Sequence, residues 1–239
     1  SGKRKYVFHI SAEITTILSK LLDFISRRKE CGKIPTDIER FAAAPPGFSP
    51  SDLFRDCKSV IVFGCALPRG ITKADSRLVY GHYNSLLCDE VDKIALRGAK
   101  ALERKFGAKA VPLPCDNPYE YWDSETLTGK GLISMKHAAV LCGLGTLGKS
   151  SLLLNPEYGN LLVLGAILFE LKLQSDKPCE EICIKNCKKC IEACPVRAIG
   201  HGVVNQSLCR QNAYGKTSRG FDTVDCNQCR MVCPMRYGK

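Results

Sequence analysis

Nine of the fifteen cysteines in this 239-residue chain fall between Cys179 and Cys233. Their spacing is doubled: Cys187-x2-Cys190-x3-Cys194-Pro195 is followed by Cys226-x2-Cys229-x3-Cys233-Pro234. Each copy matches the end of a C-x2-C-x2-C-x3-C-P run, in which three closely spaced thiolates wrap one [4Fe–4S] cube and the fourth crosses to a second cube. The first cysteine of each run is displaced. Position 184 is Ile, so Cys183, one residue earlier, is the expected first ligand, with Cys179 as the alternative. In the second run that role falls to Cys209, with 16 residues intervening before Cys226. The expected sets are therefore Cys183, Cys187, Cys190 and Cys233 for one cluster, and Cys209, Cys226, Cys229 and Cys194 for the other. Zinc would account for the C-x2-C pairs but not for the doubled C-x3-C-P endings.

A disulfide scaffold is the competing explanation for so many cysteines. It does not suit an odd count, a bunched distribution or a chain whose 45% hydrophobic content can fill a core. The expected setting is reducing and cytoplasmic. No apolar run is long enough for a membrane span, and the start, SGKRKYVFHI, lacks the apolar stretch of a signal peptide. The net charge of +11 treats every Cys as neutral. Two cubes of about −2 each would bring it to roughly +7. Residues 177–239 carry 11 Lys and Arg against 5 Asp and Glu, an excess suited to neutralising such groups. A basic nucleic-acid surface is allowed but not required.

The elements that must position these sulfurs read as alternating helix and strand. An amphipathic helix is expected over 11–32, a buried strand in KSVIVFGCAL, a long helix from Tyr83 to Gly107 and a second strand in AKAVPLP. A short helix in GLISMKHAAVLCG leads to two strands joined by a turn at Asn155–Gly159. Composition changes at Gln174–Pro178. The expectation is an α/β cofactor and substrate domain over 1–176, followed by a ferredoxin-like module with two [4Fe–4S] clusters over 177–239. Most of the remaining cysteines (31, 57, 65, 88, 115, 142 and 179) fit small core residues.

Gly143, Gly145 and Gly148 spell G-x-G-x-x-G. A dinucleotide site needs a strand before that motif and a helix after it, and the order here is reversed. The glycines, with Lys149, are instead expected to let the backbone approach a cofactor or a neighbouring element.

The stretch KHAAVLCGLGTLGKSSLLLNPEYGNLLVLGAILFELKL, followed by the paired cysteine runs, resembles the epoxyqueuosine reductase family and its relatives the reductive dehalogenases. That family carries A-G-L-G-x-x-G-K, then L-L-L-N-P-x-x-G, a first Cys run, a lone Cys matching Cys209, and a terminal C-x2-C-x3-C-P. The likeness runs from about Asp52 to the C-terminus. It implies a nitroreductase-like α/β domain and an oxidoreductase whose two clusters pass single electrons to cobalamin. It also implies a carboxylate proton donor after the second strand. In PLPCDNPYEYWD that position falls on Asp116, with Asp123 as a rival and an Asx-turn role for Asp116 as the alternative. The implied partners are an electron donor such as ferredoxin or flavodoxin and a small-molecule substrate or corrinoid. The family continues into a helical-repeat domain that grips tRNA, whereas this sequence stops at Lys239, which makes tRNA the less expected substrate. An electron carrier without chemistry of its own is the competing function. Cluster two is expected to be the inner one, with Tyr214 and Phe221 packing on the α/β domain.

Overall fold

The computed structural model describes residues 37–173, 175–200, 203–224 and 226–239. The helix expected over 11–32, Cys31 and Gln174 lie outside the described residues. The first part of the chain contains 3-10 turns at Asp37–Phe41 and Arg69–Lys73, α1 (Pro50–Leu53), β1 (Ser59–Ala66), α2 (Arg77–Phe106), β2 (Ala110–Leu113), β3 (Tyr121–Asp123), β4 (Thr128–Lys130), α3 (Met135–Leu141), β5 (Thr146–Leu147), β6 (Leu153–Leu154) and β7 (Leu162–Phe169). Then follow α4 (Lys189–Glu192), β8 (Ile199–Gly200), β9 (Val203–Val204), α5 (Gln206–Ala213), β10 (Tyr214–Lys216), β11 (Asp222–Val224) and α6 (Gln228–Met231).

An antiparallel sheet in the order β1-β7-β2 forms the middle layer. Alternation along its strands feeds two cores. Ile61, Phe63 and Cys65 of β1, with Ile167 and Phe169 of β7, meet Val91, Ile94 and Leu102 of α2. Val60 of β1, with Ala166 and Leu168 of β7, meets Phe41 and Ala138 of α3 on the opposite face. Covering both faces explains why β1 and β7 read as continuous apolar runs. Each fully buried Leu, Ile or Phe contributes about 1.5–3 kcal/mol, so this sandwich is the foundation on which the cysteine loops sit. Pro112 is tolerated because β2 is an edge strand.

The long helix starts at Arg77, earlier than the sequence suggested, and ends at Gly107, whose φ of 63° closes it with an N–H bond to the Glu103 carbonyl. The stretch after α3 carries the two expected strands. The strands on either side of the Asn155–Gly159 turn exist, but they do not pair with each other. β6 folds back on β5, inside the glycine segment, while β7 enters the central sheet. Local turn chemistry identified the bend but not the partner of each strand. The β3–β4 hairpin had no expectation in the sequence; its strands are three residues each and too short to show a period.

Candidate functional site

The cysteines are positioned by two copies of one short device. In each C-x2-C-x3-C-P run a single helical turn, α4 or α6, holds the second cysteine (Cys190, Cys229) and ends just before the third (Cys194, Cys233). The following proline terminates it. The two helices pack against each other, which brings the third cysteine of each run toward the other run. Cys183, Cys187, Cys190 and Cys233 line one cleft, together with Gly148, Lys149, Ser150 and Leu154 of the α/β part. Cys179 is not among the lining residues. The remaining quartet also gathers: Cys209 lies in the electrostatic reach of Cys226 and Cys194, and Cys229 in that of Cys209 and Cys226. Four of the eight expected sulfurs are thus gathered in one cleft. Among the described residues no group of three or more His, Cys, Asp or Glu side chains closes on a single metal ion.

The donor chemistry fits an anionic cluster. Burial raises the thiol pKa of Cys190, Cys209 and Cys233, and pushes Cys229 up to about 11 despite the neighbouring Arg230 charge. Neutral thiols are favoured there until a cation-rich group takes the proton's place. Arg230 itself is 8% exposed, lies 5.6 Å from the Tyr80 ring centre, and has a buried Nη1 with no hydrogen-bond partner. A buried guanidinium in that condition is costly unless an anion faces it. The backbone N–H of Ala198 donates to Cys194 Sγ at 3.2 Å, the kind of bond that tunes a ligating thiolate.

Lys149 has a specific task. Its Nζ donates to the carbonyls of Ile184 (2.9 Å), Lys185 and Cys187 (2.9 Å), clamping the loop between Cys183 and Cys187. Glu181 Oε1 accepts from the N–H of Cys183 at 2.8 Å and from the Thr146 hydroxyl at 3.2 Å, fixing Cys183 to β5. The glycines make close approaches to protein backbone. A Cβ at Gly145 would stand 2.1 Å from the Leu154 carbonyl oxygen, and one at Gly143, where φ is 77°, would stand 2.3 Å from that of Lys177. Gly148 faces the cysteine cleft. The motif lies between α3 and β6, the reverse of the dinucleotide order.

Asp116 follows β2 on an exposed loop, where Oδ1 accepts from the Tyr119 hydroxyl at 2.9 Å. Tyr119 stacks with Trp122 at 5.4 Å, and the Arg210 guanidinium lies 5.3 Å and 5.0 Å from their ring centres. Arg210 Nη1 also donates to the Leu127 carbonyl and to Gln206 Oε1, both at 2.7 Å, while Gln206 accepts from the Gly129 N–H. Helix α5, which carries Cys209, is therefore fastened to the β3–β4 hairpin and through Tyr119 to Asp116. Sequence reading missed this latch because its parts lie about ninety residues apart. Asp123 is occupied elsewhere: its carboxylate accepts from the N–H groups of Glu125 and Thr126 and from the Thr126 hydroxyl, which hold it below the usual carboxylate range and shape the hairpin turn. Tyr214 and Phe221 do not shield the second quartet; they are 36% and 67% exposed. The covering comes from Asn227 and Arg230, which the sequence reading did not single out.

No family model matches the chain. It is 33% identical over 112 residues to the epoxyqueuosine reductase of Lactococcus garvieae, covering 42% of this chain and 31% of that one. With the epoxyqueuosine reductase of Prochlorococcus marinus it shares 32% identity over 149 residues, covering 56% and 46%. The matched region spans about a third to a half of the curated relatives' length. The solved epoxyqueuosine reductase of Streptococcus thermophilus superposes with a TM-score of 0.58 at 18% identity, covering 95% of this chain and 67% of that one. A second such structure, with an epoxyqueuosine-modified tRNA-Tyr stem loop, gives 0.57 at 18% identity, covering the same shares. A catabolic reductive dehalogenase gives 0.52 at 14% identity, covering 93% and 36%. The chain thus resembles epoxyqueuosine reductases in sequence, and its mixed α/β fold is similar to theirs and to that of reductive dehalogenases.

Proposed function

We propose that this chain is an iron–sulfur oxidoreductase, with one [4Fe–4S] cluster held by Cys183, Cys187, Cys190 and Cys233 and a second by Cys194, Cys209, Cys226 and Cys229. The observation that carries this reading is the single cleft lined by Cys183, Cys187, Cys190 and Cys233, three cysteines of the first run and one of the second. Clusters bound there supply transfer of single electrons at potentials set by their surroundings. Residues 1–176 serve as the α/β domain and 177–239 as the ferredoxin-like module.

In this reading Asp116 donates a proton at the reduced centre. Tyr119 orients its Oδ1, and Arg210 holds Tyr119 while standing next to the ligand Cys209. That connection makes the second cluster the one nearer the chemistry. Exposed Lys185, Lys188 and Lys189 around the first quartet suit an acidic electron donor such as a flavodoxin or ferredoxin. Gly143 and Gly145 face backbone, and Gly148 and Lys149 belong to the first cleft. The cobalamin implied by the resemblance is tested by spectral titration. The stem loop held by a structural neighbour makes modified tRNA the first substrate to try. An electron carrier is the second reading, favoured by the exposure of Asp116.

The deciding experiment is iron, sulfide and zinc analysis of anaerobically purified protein with electron paramagnetic resonance after reduction. The expected content is about eight irons and eight sulfides per chain. Stoichiometric zinc, or about four irons, overturns the assignment. Reduction of an epoxyqueuosine-containing stem loop that is lost in Asp116→Asn separates enzyme from carrier.

A further inference from the structure

Two cysteines outside the quartets meet each other. Cys57 Sγ bonds the Ser59 carbonyl, Cys142 Sγ bonds the Val60 carbonyl, and Cys65 is fully buried, so these three behave as core residues. Cys88 on α2 and Cys115 in the loop after β2 are both half-buried. Cys115 Sγ lies 3.6 Å from the Cys88 carbonyl oxygen, so the two residues are in contact. The Cys115 N–H donates to Asp92 Oδ1 of α2 at 2.8 Å, which fixes the loop where the sulfurs approach. Asn84 Nδ2 points at Cys88 Sγ from 4.0 Å, one turn earlier. Core packing does not require two cysteines in contact at the edge of the core, one of them next to the exposed Asp116.

We infer that Cys88 and Cys115 form a redox pair, which a low-molecular-weight disulfide oxidises to a bond fastening the 114–120 loop to α2. The steps balance. Cys88 loses its proton and its thiolate attacks the small disulfide, forming a mixed disulfide and releasing one thiol. Cys115 then loses its proton and attacks the Cys88 sulfur, forming the protein disulfide and releasing the second thiol. Two protein thiols are oxidised and one small disulfide is reduced. Cys88 is the attacking sulfur: the neighbouring Cys115 side chain lowers its pKa, against burial and the charges of Asp116, Asp92 and Asp89, while that of Cys115 is raised. The closed form would immobilise the segment that carries Asp116 and Tyr119. The pairing itself does not depend on the role proposed for Asp116.

The test uses the cluster-loaded protein under anaerobic conditions with one equivalent of 2,2′-dithiodipyridine. The expected result is release of two pyridine-2-thiones per oxidant and a peptide joining Cys88 to Cys115, with iron content unchanged. Protease cleavage within 114–120 should slow, and dithiothreitol should reverse both effects. Cys88→Ser and Cys115→Ser should each abolish the joined peptide, and Cys115→Ser should leave a pyridyl adduct on Cys88. Release of one thione with a lasting adduct on the unsubstituted protein, joining of either thiol to another cysteine, or alkylation of both thiols after oxidant treatment overturns the inference. Peptide mapping of the unsubstituted protein decides the matter even if a variant fails to fold.

Discussion

The two cysteine quartets share a spacing and differ in what surrounds them. The first lies against the α/β part at Gly148, Lys149 and Leu154, and its loop exposes Ile184, Lys185 and Lys188. The second is backed by buried Asn227 and Arg230, with Tyr80 over the guanidinium and Asn160 Nδ2 donating to the Arg230 carbonyl at 3.1 Å. One is held by a cation reaching across from another element; the other is embedded next to a cation that has no protein partner for Nη1. The repeated motif sets the spacing of the sulfurs, while the residues around it place exposed lysines beside the first quartet and buried Asn227 and Arg230 beside the second. In the proposed function this difference gives electrons a direction, from the lysine-rimmed first quartet to the second, whose helix α5 reaches Asp116.

The largest effect expected comes from crossing the assignments. Cys233→Ala belongs to the second run in sequence but should cost the first cluster, leaving about four of eight irons. Cys179→Ala should leave all of them. Iron analysis with electron paramagnetic resonance checks both, and loss of the second cluster's signal in Cys233→Ala would remove the crossed arrangement. Next in size is Gly145→Val, whose Cβ meets the Leu154 carbonyl oxygen at 2.1 Å. Overpacking of this kind costs about 1–3 kcal/mol or more, and here the obstruction is backbone that cannot rotate away. The β5–β6 pair should open, lowering the thermal midpoint together with iron in the first cluster. Normal stability with loss of a separately bound cofactor would show instead that Gly145 faces a ligand.

How much of this was readable beforehand follows from what each feature depends on. Cysteine spacing is local, so the four cysteines that line the cleft could be grouped from sequence, with Cys183 and not Cys179 among them. The buried strands were visible because both faces of β1 and β7 are covered, leaving unbroken apolar runs. Strand partners were not visible. SSLLLN has no feature saying that it pairs with Thr146–Leu147 rather than with β7. Exposure of aromatic residues was also misjudged: Tyr214 and Phe221 decorate a hairpin surface, whereas the aromatics that connect the two parts are Tyr119 and Trp122, gripped by Arg210. An arginine in a polar helix carries no mark that distinguishes a latch from a solvated charge. Gly143 and Gly145 were correctly read as sites of close approach, with the approaching group left open between ligand and backbone.

Lys149 gives an intermediate effect that separates the two quartets. Lys149→Met keeps the aliphatic stem but removes the donations to the Ile184, Lys185 and Cys187 carbonyls. Hydrogen bonds from a charged group contribute about 1.5–3 kcal/mol each before the loop relaxes. The loop between Cys183 and Cys187 should loosen, so a chelator should strip the first cluster several-fold faster than in the unsubstituted protein. The second cluster should be lost at an unchanged rate. Equal acceleration of both would mean that the quartets unfold as one unit and that the contrast between them is only geometric.

The smallest effect tests whether the second quartet owes its position to α5 itself. Asn205 caps that helix: its side chain accepts from the Leu208 N–H at 3.0 Å, and its own N–H donates to the Ala198 carbonyl at 2.8 Å. Asn205→Ala removes only the side-chain bond, a change worth about 1 kcal/mol at a helix start. The eight-residue helix also carries Cys209 and Arg210, each held from elsewhere, Cys209 by its quartet and Arg210 by Tyr119, Trp122 and Leu127. Those outside ties should keep the helix in place, so the denaturation midpoint should fall slightly while iron stays near its normal content. Asn205→Asp should restore the midpoint, because a carboxylate accepts the same N–H. A loss of about four irons in Asn205→Ala would instead mean that the cap, and not the quartet and the arginine latch, holds Cys209 where the second cluster needs it.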